Sequence, residues 1–395
     1  MRASWVEAVL IAGGAIFGWY ATRRWRMSST PPPRPPSRDY LAGVNFLVNE
    51  QPDRAVEAFL RAVAVDQDTV ETQFALGALF RRRGEVDRAI RVHQNLIARE
   101  TLDPSFREQA SYALAQDYLR AGLYDRAEKL LLQLAEGGTY RIASLKDLTA
   151  IYEIERDWER AIAIHRDLAR IGGPEQPSAI AHYYCELAEI ARAKGDFALA
   201  EEQLRTARGE QRRFPRAALL QADVAIDTGR ADLAIRLLKR VPLLSPQLAG
   251  EMLLRLVRAL TAAGRDGELA GIIADVAGDG RDVADALAHA AIVANELDSP
   301  ALLGLARDYV GHEPAVAEIV GALLPEERGL DDAALRRLCA ALRRQVLRTA
   351  RFRCGECGFS SSGFFWQCPG CKRWDSLKPL TPSDLAGRPA AARAR

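Results

Sequence analysis

Apolar residues recur three and four positions apart along most of the chain after residue 37, which predicts a succession of amphipathic helices. The pattern returns in six copies, and each copy carries an alanine in a similar context, first as DRAVEAF and later as DRAIRVH or ERAIAIH. Twelve residues before each alanine stands a small or polar residue that allows a preceding helix to approach closely. The pairs are Ala55 with Gly43, Ala89 with Gly77, Ala127 with Ala115, Ala161 with Thr149, Ala200 with Ala188, and Ala234 with Ala222. The sequence therefore predicts a series of helical hairpins.

The spacing of these alanines indicates the kind of hairpin. Neighbouring copies are 34, 38, 34, 39 and 34 residues apart, and about 34 residues is the length of the tetratricopeptide repeat, which this pattern resembles. A turn glycine stands five residues before the alanine in four copies, at Gly84, Gly122, Gly195 and Gly229. Since one hairpin cannot bury its apolar face alone, stacked neighbours share a core. The resemblance predicts an all-α superhelical solenoid with six tetratricopeptide repeats at residues 37–245.

Two histidines fall at equivalent positions of this repeat. His93 and His165 each follow a repeat alanine by four residues, a packing position of the second helix, so both are predicted to be buried core residues and not ligands. Some repeats of this type bind a chaperone's terminal carboxylate through Lys and Asn. The matching positions here are Tyr40, Val44 and Ala75, which argues against that use.

The repeat loses its register after Val241. Residues 251–277, 282–310 and 314–324 still read as paired helices, and residues 331–350 predict a long helix with leucines on one side and arginines on the other. We assign residues 246–350 to degenerate helical repeats followed by this basic amphipathic helix. Its basic face is expected to be solvated, with anionic headgroups or an acidic partner as the alternatives.

The N-terminal residues predict a membrane anchor. The segment from Trp5 to Thr22 is apolar apart from Glu7 and is followed by Arg23, Arg24 and Arg26, which places the downstream chain in the cytoplasm by the positive-inside rule. We predict a transmembrane anchor at residues 1–27, with a buried or interfacial helix as the alternative. Prolines then predict a stiff linker at residues 28–36, and residues 381–395 predict a flexible tail.

Composition limits the functions that the chain can have. The 54 basic and 52 acidic residues give a formal net charge of only +2, which offers no global case for nucleic-acid binding. No nucleophile and base pair, phosphate loop or acidic dyad stands out, so we expect a scaffold and not an enzyme. Cys185 and Cys339 lie in apolar helical patterns and are expected to be small buried residues.

The other four cysteines form a candidate metal site in residues 351–380. The pattern Cys354-x2-Cys357-x10-Cys368-x2-Cys371 offers four thiolates in two tight pairs, which suit zinc or iron. Four thiolates leave no open coordination position, so metal-activated water is excluded.

Two other functions remain open for this segment. Its CGECG and CPGC motifs resemble rubredoxin, an electron carrier, although Lys372 stands where rubredoxin has glycine. A zinc ribbon that binds nucleic acid also fits the cysteines. A module of this size has little core of its own, so Phe364, Phe365 and Trp366 are predicted to pack it against the repeats.

The whole arrangement resembles the lipopolysaccharide assembly protein B family. Phe359, Trp366, Pro369 and Trp374 stand around the four cysteines as they do in that family. The resemblance implies a non-enzymatic, single-pass adaptor of the inner membrane, with the bulk of the chain on the cytoplasmic side. Its implied partners are a membrane-bound AAA+ protease, the deacetylase that commits precursors to lipid A, and other lipopolysaccharide proteins of the inner membrane. The adaptor would promote degradation of the deacetylase and assemble lipopolysaccharide-synthesis proteins at the membrane.

The resemblance also implies the content of the metal site. It carries the ligand role onto Cys354, Cys357, Cys368 and Cys371, with one iron ion per chain and zinc as the alternative. It implies no nucleic-acid partner, and it leaves a homo-oligomer open.

Overall fold

A computed structural model describes residues 38–49, 51–65, 70–173, 177–277, 281–294, 298–312, 331–333, 335–338, 340 and 352–379. The predicted anchor at 1–27, the linker at 28–36 and the tail at 381–395 lie outside these residues, as do the predicted helix at 314–324 and Cys339. Within the described ranges no helix is both long enough and apolar enough to cross a membrane. The chain divides into two units, residues 1–144 and 145–395.

The first unit consists of helical hairpins. Small residues at the predicted positions allow the helices of a pair to touch, because a Cβ added to Gly43 would lie 2.7 Å from the Phe59 ring and one added to Gly77 would lie 2.5 Å from the His93 ring. His93 is buried and its Nδ1 lies 2.5 Å from Asp117 Oδ2. The helices of this unit are α1 (Arg38–Val48), α2 (Pro52–Val65), α3 (Val70–Arg82), α4 (Val86–Ile97), α5 (Pro104–Arg120), α6 (Tyr124–Ala135) and the beginning of α7 (Arg141–Glu155).

The second unit continues the hairpins and then departs from the regular repeat. Its helices are the rest of α7, α8 (Trp158–Arg170), α9 (Pro177–Ala193), α10 (Phe197–Glu210), α11 (Pro215–Asp227), α12 (Ala231–Leu238), α13 (Val241–Leu244), α14 (Ala249–Ala262), α15 (Leu269–Ala277), α16 (Arg281–Ala294) and α17 (Pro300–His312). Short 3₁₀ helices at Pro246–Leu248 and Asp266–Glu268 interrupt the later part. One continuous core of buried apolar residues joins α11, α12 and α14 to α17.

The turns inside the hairpins have a common geometry. The four predicted turn glycines all have positive φ, between 70° at Gly229 and 80° at Gly84. This left-handed conformation ends a helix at little steric cost when the residue has no Cβ. In the α7–α8 hairpin the same position is held by Arg156, which adopts φ 58°.

The described part of the basic helix has the predicted polarity. Leu335 is fully buried in the core of the second unit, Leu338 packs against that core, and Arg336 and Arg337 are exposed.

The last described segment adds a small antiparallel sheet, so the fold is mostly helical and not entirely so. Strands β1 (Phe352–Cys354), β2 (Ser360–Ser361) and β3 (Leu377–Pro379) form the sheet in the order β2-β1-β3. Phe352 pairs with Ser361 on one side and with Pro379 on the other. Residues 352–379, which carry this sheet and the four cysteines, are called the knuckle domain below.

Candidate metal centre

The knuckle domain positions its cysteines by two similar turns. In the first turn the Cys354 N–H donates to the Phe359 carbonyl over 2.8 Å, and the Gly358 N–H donates to the Cys354 carbonyl over 3.1 Å. In the second turn the Cys368 N–H donates to Arg373 over 2.8 Å and the Lys372 N–H donates to Cys368 over 2.9 Å. Each turn thus brings a Cys-x-x-Cys pair around so that both sulfurs face the same point.

The equivalent positions Gly358 and Lys372 show what these turns require. Both residues follow the second cysteine of a pair, and both have positive φ, 74° for Gly358 and 60° for Lys372. The departure from rubredoxin at Lys372 therefore keeps the turn geometry, although this conformation costs a residue with a Cβ about 1 kcal/mol.

The four sulfurs lie together in one compact cluster. All four Sγ atoms are within 4.8 Å of one another, and the distances from Cys354 to Cys371 and from Cys357 to Cys368 are both 3.7 Å. A tetrahedron with metal–sulfur bonds of about 2.3 Å has edges of ~3.8 Å. A disulfide would need sulfurs only about 2.05 Å apart. The cluster therefore fits a tetrathiolate site, and four soft donors suit zinc or iron.

The surroundings of the cysteines shift the pKa values of two of the thiols in opposite directions. Hydrogen bonds, chiefly from the Ser376 hydroxyl and the Cys357 N–H, lower the pKa of the Cys354 thiol to about 6. The Arg373 N–H favours the Cys371 thiolate, but desolvation and the three neighbouring thiols raise the pKa of Cys371 to about 12. Without a cation the cluster therefore retains protons at neutral pH. A bound metal would neutralise the charge and cross-link the two turns.

The core of the knuckle domain is too small to hold the domain alone. Its buried apolar side chains are Cys354, Cys368 and Leu377, and Phe352, Phe359 and Phe364 pack around them. Further apolar contacts are made with helices of the same unit. Phe364 and Trp366 pack against the core of that unit, as predicted. The prediction was wrong for Phe365, whose exposed fraction is 44%.

Trp374 joins the knuckle domain to the repeat helices through both its ring and its indole N–H. Its ring stacks on His182 with centroids 4.4 Å apart and lies edge-on to Trp158 and Tyr183. Its indole N–H donates to Glu153 Oε1 over 2.9 Å. The indole is therefore packed on its face and satisfied at its polar edge.

His182 joins the next residue of the knuckle domain, Asp375, to the buried Arg216. The Arg216 guanidinium donates to His182 Nδ1 over 3.2 Å, and arginine is only a donor, so Nδ1 carries no proton. The proton then lies on Nε2, which is 2.9 Å from Asp375 Oδ2. Burial lowers the pKa of His182, in agreement with a neutral ring that accepts from Arg216 at Nδ1 and has Nε2 close to the Asp375 carboxylate.

The carboxylate of Asp375 is stabilised in this contact. Burial favours its neutral form, but hydrogen bonds from His182 and from Ser178, whose Oγ lies 2.9 Å away, outweigh burial and lower the pKa of Asp375. Arg216 is held in turn by Glu186 over 2.6 Å and Glu189 over 3.1 Å. The contact of Trp374 and Asp375 with the repeat helices is called the docking contact below.

A chain of hydrogen bonds extends from the docking contact into the repeats. The Tyr183 hydroxyl donates to Glu153 over 2.7 Å, the same carboxylate that accepts from Trp374. His165 Nε2 lies 3.0 Å from the Tyr183 oxygen and must be the donor, because the hydroxyl proton is already used. Burial lowers the pKa of His165, so this histidine is a neutral core residue, as predicted.

The docking contact involves residues to which the sequence pattern gave no role. Trp366 and Trp374 stood out beside the cysteines, but His182, Arg216 and Asp375 did not. The signal that could have found them is a charged residue on an otherwise apolar helix face, which needs a partner. Cys185, predicted to be a buried small residue, is fully buried, and burial raises the pKa of its thiol to about 12.

Comparison with known families matches both parts of the chain. A family model described as a rubredoxin metal binding domain matches residues 352–379. The tetratricopeptide repeat model matches residues 40–101 and 185–249. A solved structure, the C-terminal part of a repeat protein of this type from Cytophaga hutchinsonii, covers 64% of this chain and all of its own, at 16% identity and a TM-score of 0.35.

Two curated relatives extend over nearly the whole chain. Lipopolysaccharide assembly protein B of Haemophilus influenzae strain Rd is 29% identical over 403 residues, which cover 94% of this chain and 97% of that protein. The protein of the same name from Escherichia coli strain K12 is 33% identical over 381 residues, which cover 95% of this chain and 98% of that protein. With this identity over almost the full length of both proteins, the chain belongs to the lipopolysaccharide assembly protein B family.

Proposed function

We propose that this protein is a membrane-anchored adaptor without catalytic activity that regulates lipopolysaccharide synthesis. Residues 1–27 anchor it in the inner membrane, and the repeats at 37–245 and the degenerate repeats at 246–350 bind protein partners in the cytoplasm. The partners are a membrane-bound AAA+ protease and the deacetylase of the committed step of lipid A synthesis, whose degradation the adaptor promotes. It also assembles other lipopolysaccharide-synthesis proteins at the membrane.

The observation that carries this proposal is the docking contact beside a closed cluster of four sulfurs. Cys354, Cys357, Cys368 and Cys371 would hold one iron or zinc ion with no position left for a substrate. The metal would therefore act as a cross-link that keeps Trp374 and Asp375 in place against α7, α9 and the start of α11. Such a site supports a structural role for the metal and a binding role for the repeats.

A membrane pull-down tests the adaptor function. The full chain is compared with a chain that lacks residues 351–395, and with a control that lacks only residues 381–395. We expect the protease and the deacetylase to co-purify with the full chain and with the control, but to be lost or strongly reduced when the knuckle domain is removed. Co-purification of neither enzyme with the full chain would refute the proposed partners.

The metal role is tested separately with Cys354→Ser. We expect this variant to lose the bound metal, measured by elemental analysis, and to lose regulation of deacetylase abundance. An iron-containing protein that cycles reversibly between two redox states, with regulation dependent on that cycling, would instead favour the electron-transfer function. Salt-dependent binding of RNA by the knuckle domain would favour the nucleic-acid function.

A further inference from the structure

The repeat helices also form a concave site, and no residue of the knuckle domain lines it. It is a cavity of about 500 Å³ between α10, α11 and α12, which is within the range of ligand-binding pockets. Its charged lining consists of Arg205, Arg208, Arg212 and Arg230 with a single acidic residue, Glu201. We call it the arginine cavity.

The positive charge of the arginine cavity is only partly neutralised. Arg230 forms an ion pair with Glu201, and Arg208 donates to the neutral amide of Gln221 over 3.3 Å. Among the described residues no ion pair or hydrogen bond joins Arg205 or Arg212 to another side chain. Within that part of the chain, three of the four guanidinium groups thus have no carboxylate partner, although a planar guanidinium is well suited to bind one.

The remaining lining makes room for an apolar group. Leu233 and Leu237 of α12 form part of the wall, and both also pack against the core of the second unit. Gly209 has no side chain to occupy the space, and a Cβ added there would meet nothing within 4 Å. A ligand can therefore combine anionic groups with an apolar side chain.

The distribution of the charges selects among anionic ligands. The arginines come from one turn of α10 (Arg205 and Arg208), from the loop after it (Arg212) and from the residue just before α12 (Arg230), so the positive charge is contributed by separate parts of the lining. A single phosphate would leave the leucine wall without a partner. Carboxylates spaced along a peptide, with an apolar side chain between them, would match both the arginines and the leucine wall.

We infer that the arginine cavity binds an acidic segment of a protein partner through Arg205, Arg208 and Arg212. Acidic side chains would pair with the guanidinium groups, and an apolar side chain would lie on Leu233 and Leu237. This inference rests on the proposed adaptor function for the existence of such a partner, and it names the chemistry by which one would be recognised.

Fluorescence anisotropy on the purified full chain in detergent tests the site. The probe is a fluorescein-labelled peptide of alternating glutamate and leucine, and the reference peptide has lysine in place of glutamate. We expect the glutamate peptide to bind and the lysine peptide not to bind. The double variant R205E/R212E should weaken its binding about tenfold or more, and Gly209→Phe should weaken it without any change of charge, because the ring fills the cavity.

The control variant R213E/R236E reverses two exposed arginines outside the cavity. It should bind as the unmodified protein does, with thermal unfolding confirming that all variants fold. Equal weakening by R213E/R236E, or full displacement of the peptide by inorganic phosphate or by phosphatidylglycerol vesicles, would overturn the inference. So would the absence of peptide binding to the unmodified chain. These outcomes leave the adaptor proposal intact, because the deletion of residues 351–395 tests it at another part of the chain.

Discussion

At the scale of single residues, Gly77 is a position where the close approach of two helices requires glycine. A Cβ at this position would lie 2.5 Å from Cε1 and Nε2 of His93. The ring cannot move away easily, because it is buried and held by Asp117. We expect Gly77→Ala to lower the free energy of unfolding by about 1–3 kcal/mol through overpacking, measured by urea denaturation.

The control for this substitution is Gly304→Ala in α17, where an added Cβ meets nothing within 4 Å. Alanine is the better helix former, so this variant should be more stable than the parent by about 0.5–1 kcal/mol. If both variants were stabilised, the close contact of Gly77 with His93 would not exist in solution.

The buried His165 predicts a dependence of stability on pH. Burial lowers its pKa in the folded protein below the ordinary value of 6.5, so the unfolded chain binds more protons between these two pKa values. Stability from a neutral His165 is therefore complete above about pH 6.5 and decreases as the pH falls below it. We expect the midpoint temperature of thermal unfolding to decrease when the pH is lowered from about 7.5 to about 5.5. The decrease should be smaller in His165→Gln, which does not titrate.

Glutamine is the suitable replacement because its amide N–H can still donate to the Tyr183 oxygen. His182, whose pKa is also lowered by burial, should keep part of the slope in both proteins. Parallel pH profiles of the parent and His165→Gln would contradict a neutral, buried His165.

At the scale of secondary-structure elements, the turn between α7 and α8 departs from the other hairpins. Arg156 occupies the left-handed position there with φ 58°, where four other hairpins have glycine. Its side chain is exposed, so replacement removes little packing. We expect Arg156→Gly to stabilise the protein by about 0.5–1 kcal/mol, since relief of the left-handed strain exceeds the entropy cost of glycine.

The opposite substitution at an equivalent turn provides the comparison. Gly195 has φ 79°, and a Cβ added to it would meet nothing within 4 Å. Gly195→Ala should therefore cost about 1 kcal/mol from backbone strain alone. Chemical denaturation of the two variants should give changes of opposite sign. The same sign for both would mean that these turns are not held in the left-handed conformation.

The elements could be predicted from sequence wherever local pattern determines them. Ala55 to Ala234 recur at nearly constant spacing because each hairpin packs on a copy of itself, and the same constraint puts Gly84 and Gly122 in turns. After Val241 the hairpins pack on dissimilar neighbours, and the periodic signal fades. The short helix α13 (Val241–Leu244) and the 3₁₀ segments therefore could not be predicted from a repeat pattern.

At the scale of the whole molecule, the sulfur cluster could be predicted and the docking contact could not. The four cysteines lie close together in sequence, between Cys354 and Cys371, and their spacing alone indicates that they converge. The hydrogen bond from Trp374 to Glu153 spans 221 residues and that from Ser178 to Asp375 spans 197. No local pattern encodes such a pairing, since it depends on which helix ends the stacked hairpins bring together.

The docking contact predicts that the knuckle domain and the repeat helices of the second unit stabilise each other. Trp374→Ala removes the ring stacked on His182 and the donor to Glu153, and truncation of a packed tryptophan typically costs about 3–5 kcal/mol. We expect hydrogen exchange of backbone amides in α9 to accelerate about tenfold or more, while the four cysteines still bind metal. Mass spectrometry of exchanged peptides measures the first quantity and elemental analysis the second.

Phe365→Ala is the matched control, because it removes an aromatic ring from the same domain at a side chain that is 44% exposed. Exchange in α9 should be unchanged in this variant, and exchange in α4 of the first unit should be unchanged in both. Cys354→Ser should also accelerate exchange in α9, although it leaves Trp374 intact. Loss of the metal would release the turns that hold Trp374 and Asp375 against the helices. If the amides of α9 exchanged at the same rate in the parent and in Trp374→Ala, the knuckle domain would not stabilise the repeat helices. The structural role proposed for its metal would then be wrong.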